Sequence, residues 1–105
     1  LEAAIKAIEA VDECVGRAVE ALKEVDGAMF ICADHGNAEM MIDYETGEPW
    51  TAHTTNPVPF ILVNAGAGYD MAEGGKLCDI IPTMLELMDI PQPEEMTGKS
   101  LLIKK

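Results

Sequence analysis

The stretch Ala28-Met-Phe-Ile-Cys-Ala33 runs directly into Asp34-His35-Gly36, and this junction decides the fold that the sequence predicts. An unbroken apolar run between Gly27 and a polar turn is typical of a strand buried on both faces, as in a parallel sheet. Ligand sites in open α/β sheets lie at the carboxyl ends of strands. The residues that follow this strand are therefore the first place to look for chemistry.

Helical and strand-like patterns flank this stretch on both sides. Apolar residues recur at three- and four-residue steps over residues 1–25, which predicts a long amphipathic helix, and Gly27 is expected to supply the left-handed turn that ends it. A second buried strand is predicted at 58–63, and residues 44–49 have the composition of a tight reversal. A second helix should begin at Asp79 and end near Asp89. Its residues expected to face inward are Ile81, Met84, Leu85 and Met88.

This order of elements predicts the α/β class, with strands 28–33 and 58–63 as parallel neighbours or separated by one missing strand. Two such strands cannot form a stable sheet alone, because both faces and the edges need cover. The fold expected is thus an incomplete part of a mainly parallel sheet flanked by helices. The helical pattern already runs at Leu1 with no initiator Met or capping residue before it, so we expect a piece of a longer protein.

Composition excludes several functions. Seven basic and nineteen acidic residues give a net charge of −12, which excludes nucleic-acid binding by phosphate neutralisation and argues against docking on anionic membranes. No apolar run approaches the roughly 20 residues that a membrane-spanning helix needs. The three cysteines, Cys14, Cys32 and Cys78, have neither CxxC nor Cys/His zinc spacing. We expect reduced thiols and a cytoplasmic location.

The two histidines lie in polar segments at strand boundaries. A turn beginning after the first strand would let the side chains of Asp34 and His35 converge, and a carboxylate beside an imidazole suits manganese or zinc. His53 stands just before the second strand, so it should enter the sheet near the end that Asp34 leaves. The competing interpretation has Asp34 capping a turn and both histidines in structural hydrogen bonds. Spacing alone leaves both interpretations open.

Other catalytic patterns are missing from the sequence. It has neither a GxSxG elbow nor a phosphate-binding Walker loop, and Arg17 is its single arginine. Glu39 and Asp43 could share one helical face, but equally they could be solvated acids near a loop. Ser100, the only serine, lies in a C-terminal turn motif away from any predicted base or metal ligand.

Four segments closely resemble the C-terminal region of the cofactor-independent phosphoglycerate mutases, a family of the alkaline phosphatase superfamily. The resemblance extends over essentially all 105 residues. The Asp-His-Gly element is common to the superfamily, whereas the second segment is much narrower and points to the mutases. The segments are Ala33-Asp-His-Gly-Asn-Ala-Glu39, Thr51-Ala-His-Thr-Thr-Asn-Pro-Val-Pro59, Asp79-Ile-Ile-Pro-Thr83 and Glu95-Met-Thr-Gly-Lys-Ser-Leu101.

The resemblance implies that residues 1–105 form the C-terminal part of a metal-binding, phosphatase-type domain, part of an alkaline-phosphatase-like sandwich. Members of the family hold two manganese ions. Asp34 and His35 would bind the ion that also coordinates the nucleophilic serine, and His53 would bind the other. The implied activity is that of a glycolytic isomerase, which interconverts 3-phosphoglycerate and 2-phosphoglycerate through a phosphoserine.

The nucleophile, the remaining ligands and the phosphate-binding arginines have no counterpart in this chain. We therefore expect no catalytic residue within it, weak or absent manganese binding, no turnover by the chain alone, and possible self-association through uncovered apolar faces. Two alternatives stay open at this point. One is another enzyme of the superfamily, such as a phosphopentomutase or a phosphatase, and the other is a non-catalytic acidic α/β interaction module.

Overall fold

Helices and short strands both occur in the computed structural model, which describes all residues 1–105. The predicted mixed α/β class is confirmed. The chain divides into two compact units, Leu1–Asn64 and Ala65–Lys105. The first contains α1 (Glu2–Glu24), β1 (Met29–Cys32) and β2 (Phe60–Val63). The second contains β3 (Tyr69–Met71), a 3₁₀ helix (Leu77–Asp79), α2 (Ile80–Leu87) and β4 (Leu102–Lys104).

The predicted first helix is confirmed as α1, but it ends differently from the expectation. Asp26, not Gly27, takes the left-handed conformation, with φ of 51°. Gly27 is required for another reason, because an added Cβ would lie 2.6 Å from Leu22 Cδ1. The Gly27 N–H donates to the Leu22 carbonyl at 3.0 Å, which closes the last turn. Glycine therefore allows close approach here, while Asp26 makes the turn.

The apolar stripe of α1 is uncovered. None of its residues is buried, and Ile8 and Val11 are 53% and 61% exposed. An amphipathic helix in a folded domain normally packs this stripe against a second layer. None of the helices is both long enough and apolar enough to cross a membrane.

The prediction that 28–33 and 58–63 run parallel is wrong. β1 and β2 pair antiparallel, from Met29 opposite Val63 to Cys32 opposite Phe60. A parallel pair needs a crossover connection, usually a helix, and none occurs between these strands. The connecting segment, residues 33–59, instead folds back on itself. We call this segment the hairpin arm.

Two isolated bridges, Gly36 with Thr54 and Ile42 with Pro49, continue the antiparallel pairing along the hairpin arm. The predicted reversal lies at its tip. There the Asp43 N–H donates to the Glu48 carbonyl at 2.8 Å, and Gly47 has φ of 73°. The arm is therefore a long hairpin whose two sides are paired at these two bridges.

The expectation that both strands are buried on both faces is also wrong. Most of their residues are half-buried, and Cys32 and Ile61 are exposed. The rings of Phe30 and Phe60 stack with centroids 5.0 Å apart, which gives the strand pair its main apolar contact. A two-stranded pair without a layer on each face cannot bury its side chains, whatever their hydrophobicity.

The second predicted helix is confirmed as α2, but three of its four predicted inward residues are wrong. Ile81, Met84 and Met88 are exposed, and Leu85 is half-buried. The fully buried side chain is Thr83. Its hydroxyl donates to the Asp79 carbonyl at 2.6 Å and accepts from the Leu101 N–H at 2.9 Å. Its buried contacts are thus hydrogen bonds to the chain segments on either side, not an apolar stripe.

Asp79 ties two segments of the second unit together. Its buried carboxylate accepts from the backbone N–H of Lys99 at 2.8 Å and from that of Lys76 at 2.9 Å. These two hydrogen bonds, first that of Lys99, hold the pKa of Asp79 below its ordinary value of 3.8. Gly98 passes so close that an added Cβ would collide with the Cys78 carbonyl. Asp79 was predicted to cap α2, but its carboxylate serves this clamp instead.

Acid should open the Asp79 clamp. Because the folded-state pKa is lowered, the stabilisation is fully present above the ordinary pKa of 3.8 and is lost as the pH falls through the lower folded-state value. We expect the exchange protection of the Lys76 and Lys99 amides to fall in that range. In Asp79→Asn the protection should already be reduced at neutral pH, without the acid step.

Amide hydrogen exchange followed by NMR, corrected for the intrinsic rate at each pH, measures this directly. Asp70→Asn is the matched control, since the Asp70 carboxylate accepts only from the adjacent Met71 N–H. Identical protection of Lys99 in the wild-type chain and in Asp79→Asn at every pH would contradict the clamp.

Candidate metal centre

Backbone pairing in the hairpin arm brings the segment that contains Asp34 and His35 opposite the segment that contains His53. Asp34 and His35 are the second and third residues after β1, on one side of the arm. Gly36 pairs with Thr54 on the other side, through hydrogen bonds of 3.3 Å and 2.8 Å in the two directions. In this antiparallel register His53 stands opposite Asn37, one residue along from Gly36, and its ring reaches diagonally to that of His35. The metal-binding role of these three residues stays a prediction at this point.

The three side chains approach one another at the surface. The ring centroids of His35 and His53 lie 3.8 Å apart, with the ring planes tilted by 35°. Asp34 Oδ1 lies 3.6 Å from His35 Nε2. The Asp34 side chain is 82% exposed and that of His35 is 39% exposed. One carboxylate and two imidazoles thus stand together where an ion from solution could reach them.

A hydrogen bond determines which nitrogen of His35 can bind a metal. Nδ1 lies 3.0 Å from the Gly36 carbonyl oxygen, which can only accept. Nδ1 therefore carries the hydrogen, and in the neutral ring the lone pair is at Nε2. This is the nitrogen that faces Asp34. The second nitrogen of a metal-binding histidine commonly donates to a carbonyl in this way.

His53 has a side-chain partner at the equivalent position. The Asn37 amide nitrogen and His53 Nδ1 lie 3.2 Å apart. An amide group can present either its oxygen or its nitrogen at such a place, since its two orientations have nearly the same shape. With the oxygen presented, Nδ1 would donate and Nε2 of His53 would hold the lone pair. In the structure the amide nitrogen faces Nδ1 and donates to it, which places the ring hydrogen on Nε2. The tautomer of His53 thus follows the orientation of the Asn37 amide.

Glu39 lies beside the candidate site and outside any helix, so the helical face that the sequence left open for it is wrong. Its carboxylate accepts from the Asn37 backbone N–H at 2.8 Å, from the Thr54 hydroxyl, and from the Asn56 amide at 3.3 Å. The Thr54 hydroxyl is the largest cause of the lowered pKa of Glu39. The sequence feature that could have indicated this role is the pair of polar residues Thr54 and Asn56. It indicates a contact with Glu39 only once the antiparallel register has placed Thr54 opposite Gly36.

Gly36 leaves room for these contacts. It is buried, and an added Cβ would collide with both the Glu39 carboxylate and the Thr54 hydroxyl. The hydrogen bond between those two groups therefore lies over the Gly36 Cα. The glycine of the Asp-His-Gly element is thus required by close approach and not by a left-handed backbone.

The donor types fit a divalent metal, although the chain does not complete a site. Imidazole and carboxylate together suit manganese, zinc or iron. No group of three or more His, Cys, Asp or Glu side chains in the chain is arranged to hold an ion. The serine and the cysteines do not contribute to the group formed by Asp34, His35 and His53. Ser100 accepts from the Leu102 N–H within its own turn, and all three cysteines are free and exposed.

Comparison with known proteins identifies the family of this chain. Residues 1–92 match the family described as the Metalloenzyme superfamily, and the chain belongs to that family. Among curated proteins, the chain is 70% identical over 104 residues to the 2,3-bisphosphoglycerate-independent phosphoglycerate mutase of Lachnoclostridium phytofermentans. That alignment covers 99% of this chain and 20% of the relative.

Two further relatives carry the same description. The mutase 1 of Methanosarcina acetivorans is 62% identical over 104 residues, and a mutase of Clostridium botulinum is 63% identical over 101 residues. These alignments cover 99% and 96% of this chain, and 20% of each relative. The resemblance predicted from the sequence is confirmed, and the chain spans about a fifth of the length of the curated relatives it matches.

Gly36→Ala should separate the two sides of the site. The added methyl group meets the Glu39–Thr54 hydrogen bond, so we expect a destabilisation of about 1–3 kcal/mol, the usual cost of overpacking. The contact between the rings of His35 and His53 should be lost as well. Thermal unfolding and the nuclear Overhauser effect between the two rings report these changes.

Gly16→Ala is the matched control for this prediction. Gly16 lies in α1 with no atom near an added Cβ, so alanine there should stabilise the helix by about 0.5–1 kcal/mol. An unchanged ring-to-ring signal in Gly36→Ala would show that the Glu39–Thr54 contact does not control the site.

Proposed function

We propose that this chain is part of a metal-dependent phosphoglycerate mutase, an isomerase of glycolysis and gluconeogenesis. Such an enzyme interconverts 3-phosphoglycerate and 2-phosphoglycerate through a phosphoserine intermediate. The observation that carries the proposal is the position of His35, whose ring centroid lies 3.8 Å from that of His53 and whose Nε2 lies 3.6 Å from Asp34 Oδ1. Membership of the Metalloenzyme superfamily and the names of the relatives support it.

The proposed ligands are Asp34 and His35 for one manganese ion and His53 for a second. The hydrogen bond from His35 Nδ1 to the Gly36 carbonyl supports this role, because it leaves the Nε2 lone pair available. A bound divalent ion would offset negative charge on the transferring phosphoryl group and lower the pKa of the attacking hydroxyl. Manganese is proposed because it accepts mixed nitrogen and oxygen ligands.

The rest of the machinery is proposed to lie in the part of the relatives that this chain does not span. Arg17, the single arginine, is on α1, and Ser100 is engaged in its own turn. A net charge of −12 repels phosphoglycerate instead of attracting it. The nucleophile, the remaining ligands and the phosphate-binding groups must therefore come from other residues of the complete enzyme.

The apolar surfaces that this chain leaves uncovered support the proposal that it forms part of a larger fold. We propose that residues 1–105 are the C-terminal part of a phosphatase-type domain, whose mainly parallel sheet and helices would cover β1, β2 and the stripe of α1. Without that cover the chain should self-associate through the same apolar surface. Its three free cysteines support the proposed cytoplasmic location.

Manganese binding by this chain should be weak and should depend on the three proposed ligands. Asp34→Asn, His35→Ala and His53→Ala should each lower the affinity at least about tenfold, since even the partners of ligands contribute that much. The electron paramagnetic resonance signal of free Mn²⁺ measures the bound fraction. Asp70→Asn, which removes an exposed carboxylate outside the hairpin arm, should bind as the wild-type chain does. Equal affinity in all four variants would refute the assignment.

The catalytic part of the proposal can be tested by exchanging segments. The purified chain should give no turnover in an enolase-coupled assay. Replacing the matching fifth of the Lachnoclostridium phytofermentans mutase by this chain should give an active enzyme, because the two sequences are 70% identical there. In that chimera, His35→Ala or Asp34→Asn should reduce activity more than about a hundredfold. Near-normal activity in either variant, or turnover by the chain alone, would contradict the proposal.

A further inference from the structure

Glu39 is exposed, yet all the hydrogen-bond partners of its carboxylate lie close in sequence to the candidate ligands. The carboxylate accepts from three donors, and these come from both sides of the hairpin arm. Asn37 is on the same side as Asp34 and His35. Thr54 and Asn56 are on the side of His53. A single carboxylate therefore connects the two segments that supply the candidate ligands.

The connection reaches His53 by two routes. One Glu39 oxygen, Oε2, accepts from the Asn37 backbone N–H, and the Asn37 side chain touches His53 Nδ1 at 3.2 Å. The other oxygen, Oε1, accepts from the hydroxyl of Thr54, the residue that follows His53. Glu39 thus constrains Thr54, which follows His53 in the backbone. It also constrains Asn37, whose side-chain amide faces His53 Nδ1.

The route to His35 passes through the backbone. Thr54 and Gly36 exchange two hydrogen bonds, and the Gly36 carbonyl also accepts from His35 Nδ1. Glu39 holds the Thr54 side chain directly above that pair, in the space where a Gly36 Cβ would stand. The same carboxylate therefore helps to fix the carbonyl that selects the His35 tautomer.

We propose that Glu39 is a positioning residue for the metal centre, which acts through Asn37 and Thr54 to hold the rings of His35 and His53 side by side and to fix the tautomer of each. The proposal rests on the proposed metal-binding function. It assigns Glu39 no direct contact with the metal or with substrate. Because the proposal concerns contacts within this chain, it can be measured without any metal present.

The first test uses NMR of the full metal-free chain and the variants Glu39→Ala and Glu39→Gln. We expect the wild-type chain to give a nuclear Overhauser effect between the two rings and ring ¹⁵N shifts of a single tautomer. Glu39→Ala should lose the ring contact and show averaged tautomers. Glu39→Gln keeps one acceptor oxygen, so it should recover part of both signals.

The control is Glu45→Gln, which removes the same charge at the tip of the same arm. Glu45 is exposed there, and only its backbone N–H makes a hydrogen bond. Its ring signals should match those of the wild-type chain. If Glu39→Ala unfolds the arm, Thr54→Val replaces it, because this variant removes the hydroxyl while keeping the shape and the backbone pairing with Gly36.

The second test titrates Mn²⁺ into the same variants. Glu39→Ala and Thr54→Val should lower the affinity by about 10–100-fold, as loss of a ligand's partner does elsewhere, and Glu45→Gln should not. Unchanged ring contact and tautomers in both Glu39→Ala and Thr54→Val would overturn the positioning role. If the wild-type chain binds no measurable Mn²⁺, the activity of the chimera decides the metal-dependent function, while the metal-free spectra still decide the role of Glu39.

Discussion

Two backbone hydrogen bonds between Gly36 and Thr54 organise the part of the molecule where chemistry is concentrated. They set the register of the hairpin arm, and the register in turn sets His53 beside His35. The Glu39 carboxylate can bridge the two sides only because Gly36 has no side chain. The geometry of the candidate site thus depends mainly on the backbone pair of Gly36 and Thr54. The candidate ligands lie on either side of that pair, and no single one of them has as much influence.

The second unit uses the same kind of interaction, with polar groups in place of an apolar core. Leu102 is the one large apolar side chain that is buried, whereas Asp79 and Thr83 are buried and hydrogen-bonded to backbone groups. Buried polar groups with satisfied partners specify one arrangement more strictly than apolar contacts do. This explains how a unit with so little buried apolar surface still has a defined path from α2 to β4.

The helices and strands were easier to predict from the sequence than the pairing of the strands and the contacts of individual side chains. The periodicity of α1 and the apolar runs of β1 and β2 are local properties, and both were predicted. The direction of pairing was not, because it depends on whether residues 33–59 form a crossover or return along themselves. The contacts of Thr83 and Glu39 were missed for a related reason. Each has one partner that is 15 or more residues away, Leu101 for Thr83 and Thr54 for Glu39, and no periodic pattern marks such pairs.

The hairpin arm also has a consequence for the order of folding. Asp34, His35 and His53, together with the hydrogen bonds that align them, lie within residues 34–56, a stretch of 23 residues. Hairpins form in about 1–10 μs, and contacts close in sequence cost little loop entropy. This half of the site can therefore assemble while a ribosome is still adding later residues. A metal ion would then meet a prepared set of ligands before the rest of the chain is complete.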